Sequence, residues 1–392
     1  MTLSVQNDNG VVPEIVPLGG IKSPDAAKTP SAWSDCIIII PWNLYNQYGN
    51  DDILEMSYDG MKKWADYLIR TCADDNYVRL DGWYGDHVPV DRRLVDGEGL
   101  QLVGTAFSSY SIGILSKIAN ILGEAEDAAY YKSESEKFAA AWRNTYLLED
   151  GITCKIDAQS AYVMGIYFDL YDTEEKKQLA SDHLAKLIRE GNPQLGFEPD
   201  CMTVGFIGFP LIQYALSRYD NLDEAFTILE QTKYPSILYP VTQGATTTWE
   251  HYAKEASLNH FMSGSFTAWI FSDLVGISHE YAAENAGYRH FVLRPTCGGS
   301  LTHVKGSLNS QSGLIKSEWK LSDDGKVFTY DCTVPANTSA TLMLPVESEN
   351  AMITEGGKDI SLSDGVVFVK YENGRAIYEI TSGVYHFVVT NK

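Results

Sequence analysis

The chain has 392 residues, of which 44% are hydrophobic, 12% aromatic and 21% charged, a composition that excludes disorder and suits two domains. Acidic residues outnumber basic ones by 52 to 30, giving a net charge of −22, and no Lys/Arg cluster supplies the basic face that nucleic acids require. The same charge disfavours an anionic membrane or a densely anionic substrate as a partner.

The sequence predicts no targeting segment, membrane span or metal site. The longest apolar run, Ile37–Ile40, is ended by Pro41, so we expect no membrane-spanning helix. The first ten residues have neither a basic flank nor an apolar core, so we expect a cytoplasmic protein unless a further segment precedes Met1. The six cysteines include no C-x-x-C pair, which predicts buried thiols and no metal or other cofactor.

Helical periodicity dominates the chain up to about Gly287. Residues 1–34 are rich in Pro and Gly and are predicted to form a loop-like lead-in. A helix beginning near Asp52 would bury Met61, Trp64 and Leu68 on one face. The other predicted helices cover 37–48, 100–122, 125–147, 157–171, 173–189, 203–219, 223–232, 246–252 and 258–275. They amount to about five helical hairpins, arranged in an open solenoid or a closed ring.

The pattern changes after Tyr288, where short segments of alternating apolar and polar residues replace the helical period. Strands are predicted at 328–334, 340–344, 366–371 and 383–390, with turns at 323–325, 335–337 and 372–374. Such spacing is typical of an antiparallel β-sandwich. The sequence therefore predicts a mainly helical domain over 1–290 and a β domain over 291–392.

The segment Gly244–His251 is the strongest chemical motif. One Gly and three Thr would open a short helix in which Trp249 precedes Glu250. Taken alone, this motif is also compatible with a capped helix whose acid is solvated on the surface. The segment that follows favours a site, because Asn259 and His260 would begin an otherwise apolar helix and can face a cleft.

A second cluster, Ser31–Asp35, combines an aromatic ring with a carboxyl group. Trp33 can offer a flat apolar face to a sugar ring, and Asp35 can accept hydrogen bonds from sugar hydroxyls. The alternative is a core Trp with Asp35 as a helix cap, and the residues alone leave both readings open.

A third cluster, Asp81–His87, contains two Gly, two aromatic residues, two acids and one His, which is typical of a binding loop. A metal site from Asp81, Asp86 and His87 is disfavoured, because their spacing matches no common ligand pattern. Aromatic rings beside carboxylates, where the expected ligand is uncharged, favour a carbohydrate. Hydrolysis of a glycosidic bond requires two carboxyl groups, and Glu250 is a candidate for one of them.

Taken in order, these segments resemble the C-terminal part of the bacterial α-L-rhamnosidases of glycoside hydrolase family 78. The most specific match is Gly244–Glu250. The others are Ala32–Asp35, Pro41–Trp42, Tyr48–Gly49, Tyr84–Asp86, Thr203–Gly208, Tyr234–Pro235, Ser257–Phe261, Ser317–Lys320 and Val334–Thr338. The resemblance implies an (α/α)6 barrel followed by a β-sandwich, and removal of terminal α-L-rhamnose from a glycoside or oligosaccharide with inversion at the anomeric carbon.

The resemblance also assigns site residues. The general base of the family matches Glu250, which would activate water. The positions that line or edge the rhamnose pocket match Trp33, Asp35, Trp83, Asp86, Trp249 and His260.

The sequence departs from the family pattern in three ways. The family usually has Trp where His87 stands, and the connection between Glu250 and His260 is short. The family's general acid lies in an Arg-Asp-Glu-Arg-like segment that has no counterpart here. We therefore expect a barrel that lacks its first helices and a low activity for these 392 residues. One alternative is a non-catalytic carbohydrate-binding remnant. Another is a polysaccharide lyase using His260 with Tyr252, which the acidity of the chain disfavours.

Overall fold

The computed structural model describes residues 2–13, 16, 31–280 and 283–391, so most of the predicted lead-in lies outside the described residues. The chain forms two units, one of residues 1–42 and 52–266 and one of residues 43–51 and 267–392. The boundary predicted at residue 290 lies within the second unit and stays a prediction.

Helices make up most of the described chain before residue 275. The α-helices are α1 (Cys36–Tyr48), α2 (Asp52–Cys72), α3 (Gly97–Ile121), α4 (Ala125–Tyr146), α5 (Gln159–Tyr167), α6 (Glu174–Glu190), α7 (Ile212–Ser217), α8 (Leu222–Glu230), α9 (Tyr239–Thr242) and α10 (Thr267–Trp269). Helix α10 continues as a π-helix over Ile270–Leu274. Short 3-10 turns lie at Thr2–Val5, Ala73–Asp75, Arg92–Leu94, Pro193–Leu195 and Phe261–Gly264.

Amphipathic patterning explains the long helices. Met61, Trp64 and Leu68 of α2 are fully buried, as their spacing predicted. Helices α3 and α4 pack against each other. Helix α3 is long and apolar enough to cross a bilayer, and 78% of its apolar window is buried inside the fold, where it forms part of the core.

Three predicted helices are wrong in whole or in part. Of 203–219, only α7 is helical, because backbone N–H groups of the first part donate to a carboxylate from another loop. Residues 246–252 are not helical, since their backbone pairs with residues 257–260. The predicted helix at 258–275 is divided into a 3-10 turn, α10 and the π-helix, with Ser263–Ser265 at the interruption.

The second part of the chain is β-structure, as predicted. Its strands are β1 (Ile277–Ser278), β2 (His290–Leu293), β3 (His303–Ser310), β4 (Gly313–Leu321), β5 (Val327–Pro345), β6 (Met352–Glu355), β7 (Lys358–Asp359), β8 (Val366–Glu372) and β9 (Arg375–Thr390). They connect in the order β1-β2-β5-β9-β6-β7, with β3 on β4, β4 on β5 and β8 on β9. The pairs are antiparallel except for β2 with β5, which is parallel.

The predicted turn at 335–337 is instead an irregularity inside the single long strand β5. The pairing register with β9 shifts between Val334 and Ser339, and Asn337 has φ +62°. A core that includes Trp319, Phe328 and Phe387 fills this unit.

Candidate functional site

Two chain segments pair side by side and position Glu250. The N–H of His260 donates to the Thr248 carbonyl at 2.8 Å, and the N–H of Glu250 donates to the Ser257 carbonyl at 2.9 Å. The Thr248 hydroxyl also donates to the His260 carbonyl at 2.9 Å. The motif therefore acts as one arm of a paired loop, which brings Glu250 and His260 into the same region.

The carboxylate of Glu250 has a fixed direction but keeps access to solvent. Its Oε2 atom accepts a hydrogen bond from the Ser257 N–H at 3.0 Å, while the residue is only half-buried. A carboxylate that is oriented and still reachable by water meets the geometric requirement for a general base.

Glu250 lies on the wall of a cavity of about 120 Å³. Trp249, which is 4% exposed, lines the same cavity. Most of the other lining side chains are apolar and include Val88, Phe206 and Phe209. The cavity therefore offers a largely apolar surface next to one carboxylate.

Five rings form a continuous aromatic wall, defined here as Trp33, Tyr84, His87, Phe206 and His260. The ring centroids are separated by 5.2 Å between Trp33 and Tyr84 and by 4.9 Å between Tyr84 and His87. They are 5.4 Å apart between His87 and Phe206 and 4.9 Å apart between Phe206 and His260. Phe206 also lines the cavity that contains Glu250, so the wall and the carboxylate belong to one region.

The structure brings the predicted residue Trp83 to the end of this wall. Its ring lies 6.3 Å from that of Tyr84, and its carbonyl accepts a hydrogen bond from the Ser31 N–H at 3.2 Å. This backbone contact joins the Ser31–Asp35 and Asp81–His87 clusters, which are distant in sequence. Of the predicted site residues, Trp249 and Glu250 therefore line the cavity. Trp33 and His260 belong to the wall, and Trp83 lies beside it.

Asp35 does not reach the site surface. It has no exposed area, and its Oδ1 accepts hydrogen bonds from Trp64 Nε1 at 3.1 Å and Ser111 Oγ at 2.6 Å. Arg79, also fully buried, places Nη1 3.7 Å from Oδ2. Burial raises the pKa of Asp35, and the Arg79 charge opposes that rise. The expectation that Asp35 accepts hydrogen bonds from sugar is corrected, because its carboxylate serves the core.

Asp86 is also buried, at 1% exposure. Its carboxylate accepts hydrogen bonds from the Ser160 hydroxyl, from the Gly205 N–H at 2.8 Å and from the Ile207 N–H at 2.9 Å. Burial raises the pKa of Asp86, and these hydrogen bonds oppose the rise. The expectation that Asp86 edges the pocket is corrected, because its carboxylate is buried. It ties its own loop to the segment at 203–208.

Comparison with known proteins identifies the family. The sequence model of the bacterial α-L-rhamnosidase six-hairpin glycosidase domain matches residues 2–274, and that of the bacterial α-L-rhamnosidase C-terminal domain matches residues 276–359. The chain belongs to the bacterial α-L-rhamnosidase family. The predicted helical glycosidase domain followed by a β domain is therefore confirmed, and the helical part is a six-hairpin glycosidase domain.

Individual α-L-rhamnosidases are similar along most of this chain. The protein from Formosa agariphila is 28% identical over 97% of this chain and 40% of its own length. The protein from Streptomyces avermitilis is 29% identical over 98% of this chain and 35% of its own length. The chain thus spans well under half the length of these relatives.

Solved structures agree in fold. The structure of the Streptomyces avermitilis α-L-rhamnosidase complexed with L-rhamnose has a TM-score of 0.86 at 27% identity, covering 99% of this chain and 35% of that one. The α-L-rhamnosidase from Dictyoglumus thermophilum has the same TM-score at 26% identity, covering 99% and 43%.

Sequence reasoning missed three ring positions of this family member. Tyr84 and His87 lie in the predicted binding loop and Phe206 in a segment that matches the family, but none of the three is predicted as a site residue. A signal for Phe206 was present, since an aromatic residue between Gly205 and Gly208 is typical of a ring presented by a tight turn.

Proposed function

We propose that this chain is the catalytic region of an inverting α-L-rhamnosidase that removes terminal α-L-rhamnose, with Glu250 as general base. The observation that carries the proposal is a half-buried, oriented carboxylate on a cavity that shares Phe206 with the aromatic wall. The names of its relatives, and the L-rhamnose bound in one similar structure, support the substrate class.

In this proposal each group has a role that follows from its position. The apolar faces of the aromatic wall stack against the C–H faces of the sugar, with Trp33 and His260 at opposite ends. The Ser257 N–H orients the Glu250 carboxylate, which takes a proton from the attacking water as the bond to the leaving oxygen breaks. Trp249 packs beside the base and lines the same cavity.

The lyase alternative is disfavoured by the surroundings of Tyr252. Its hydroxyl donates to the Val204 carbonyl at 2.8 Å, and burial raises its pKa well above the ordinary value of 10. A buried, hydrogen-bonded phenol of this kind is poorly suited to exchange protons with a substrate.

Hydrolysis of an aryl α-L-rhamnoside with a good leaving group tests the proposal, since such a group needs little protonation. We expect measurable release of the aryl alcohol, and a loss of about 10²- to 10⁴-fold in Glu250→Gln. The matched control is Glu255→Gln in the same loop, whose carboxylate lies 3.8 Å from His251 and which should retain the activity.

Two results would contradict the proposal. One is equal turnover by the Glu250→Gln variant and the unsubstituted chain. The other is L-rhamnose binding by calorimetry with no turnover of the aryl substrate, which would favour the carbohydrate-binding alternative.

A further inference from the structure

The loop that carries His87 adopts an unfavourable backbone conformation on both sides of that residue. Tyr84 has φ +66° and Val88 has φ +59°, and such values are unusual for residues with a side chain and most unusual for a β-branched one. Strain of this kind persists only where the surroundings determine the conformation, and it clusters at functional sites.

Several contacts from the 203–208 segment hold His87 in place. The His87 carbonyl accepts a hydrogen bond from the Phe206 N–H at 2.8 Å. The neighbouring Asp86 carboxylate accepts from two further N–H groups of that segment. A Cβ atom at Gly205 would lie 2.3 Å from the His87 carbonyl oxygen, so the two backbones approach as closely as atoms allow. The backbone from which the His87 ring projects is therefore held by contacts with this segment.

The His87 ring occupies the centre of the aromatic wall. Its neighbours are the rings of Trp33 at 6.0 Å, Tyr84 at 4.9 Å and Phe206 at 5.4 Å, with interplanar angles of 82°, 69° and 81°. It is one of the two imidazole rings in the wall, His260 being the other.

The charged and titratable groups that face His87 come from three segments: Glu250 and His251, His260, and Arg92. Burial lowers the pKa of His87 below the ordinary value of 6.5, the Glu250 charge raises it, and the other three groups lower it. Glu250 is therefore the negative group among these four.

We propose that His87 is a substrate-binding residue of the rhamnose site whose neutral ring completes the aromatic wall and whose protonation weakens sugar binding. The inference rests on the proposed function for its ligand. A half-buried imidazolium ring must retain water, and water at the centre of the wall occupies the surface against which a sugar stacks. The same charge faces the Glu250 carboxylate and competes with the attacking water for it.

Nuclear magnetic resonance titration of the His87 ring, assigned by its loss in His87→Phe, tests the coupling without any ligand. We expect the pKa of His87 to lie below 6.5 and to fall further in Glu250→Gln, since that variant removes the charge that raises it. Glu255→Gln should leave it unchanged. A value at or above the ordinary one, or no response to Glu250→Gln, would overturn the coupling.

Calorimetric titration with L-rhamnose between about pH 7.5 and about pH 5 tests the consequence for binding. We expect binding by the unsubstituted chain to weaken as His87 takes up its proton, and His87→Phe to lose that pH-dependent step while keeping neutral-pH affinity within about threefold. His87→Ala, which removes the ring, should bind about three- to tenfold more weakly at neutral pH.

An unchanged pH dependence in His87→Phe would overturn the proposal. Absence of rhamnose binding by every variant would overturn the proposed function, and the ligand assignment with it. The ligand-free titration would still decide whether His87 and Glu250 are coupled, so the two failures are distinguishable.

Discussion

Two kinds of carboxylate stand beside aromatic residues in this molecule, and they differ in what surrounds them. Asp86 is buried, and both of its carboxylate oxygens accept hydrogen bonds from backbone N–H groups. Glu250 is half-buried, and its Oε2 accepts a hydrogen bond from one N–H. The first holds two segments together and the second stays open to a ligand. The comparison teaches that burial and saturation by hydrogen bonds, rather than residue type or aromatic neighbours, separate a structural carboxylate from a chemical one.

Asp86→Asn should produce the largest loss of stability, because an amide places donors where N–H groups now meet carboxylate oxygens. We expect the free energy of unfolding to fall by about 3 kcal/mol. Chemical denaturation measures it. Asp172→Asn is the control: this exposed carboxylate pairs with Lys176, and its loss should cost less than about 1 kcal/mol. Equal effects would contradict a structural role for Asp86.

Gly205→Ala tests the packing of the segment that the buried Asp86 carboxylate holds in place. The added methyl group would meet the His87 carbonyl, a backbone atom that cannot rotate away, so we expect a loss of about 1–3 kcal/mol. Gly113→Ala is the matched control. Gly113 lies within helix α3, and the nearest atom to an added Cβ would be Ser135 Oγ at 3.5 Å, which is an ordinary contact. That substitution should stabilise by about 0.5–1 kcal/mol, and thermal unfolding compares the two. Changes of the same sign would contradict the packing argument.

A smaller effect concerns pH. Because burial lowers the pKa of His87 below 6.5, the unfolded chain takes up a proton at higher pH than the folded chain does. The stability that depends on neutral His87 is therefore fully present above the unfolded-chain pKa of 6.5. It is lost as the pH falls from there through the lower pKa of the folded protein. We expect the free energy of unfolding of His87→Phe to gain on that of the unsubstituted chain on acidification. His279, whose pKa burial also lowers, titrates in both proteins and cancels. If the free energies of unfolding of the two proteins differ by the same amount at every pH during acidification, His87 is not held neutral by the fold.

Sequence patterns predicted the parts of the fold that depend on local periodicity. The buried face of α2 and the approximate bounds of α3 and α4 follow from apolar spacing, and the β8–β9 turn at 372–374 follows from Asn373 and Gly374. Patterns failed at 203–211 and 246–252, where hydrogen bonds to distant residues replace those of a helix. Such partners are invisible in a single chain segment.

The site shows the same division. Glu250, Trp33 and His260 were predicted near one another and lie on the cavity or the wall. Asp35 was grouped with them because its neighbours in sequence are aromatic, yet its actual partners are Trp64, Ser111 and Arg79 from three other segments. The sequence neighbours of Asp35 thus showed which residue types are near it along the chain, while its tertiary contacts determine its structural role.

Replacement of the base by a small anion is the most direct test of the central claim that Glu250 activates water on one face of the sugar. Glu250→Gly should hydrolyse an aryl α-L-rhamnoside about 10²- to 10⁴-fold more slowly than the unsubstituted chain. Azide should restore the rate by displacing the aryloxide from the face that water used, giving β-L-rhamnosyl azide. Undiminished hydrolysis by Glu250→Gly, or an azide product of α configuration, would contradict the account.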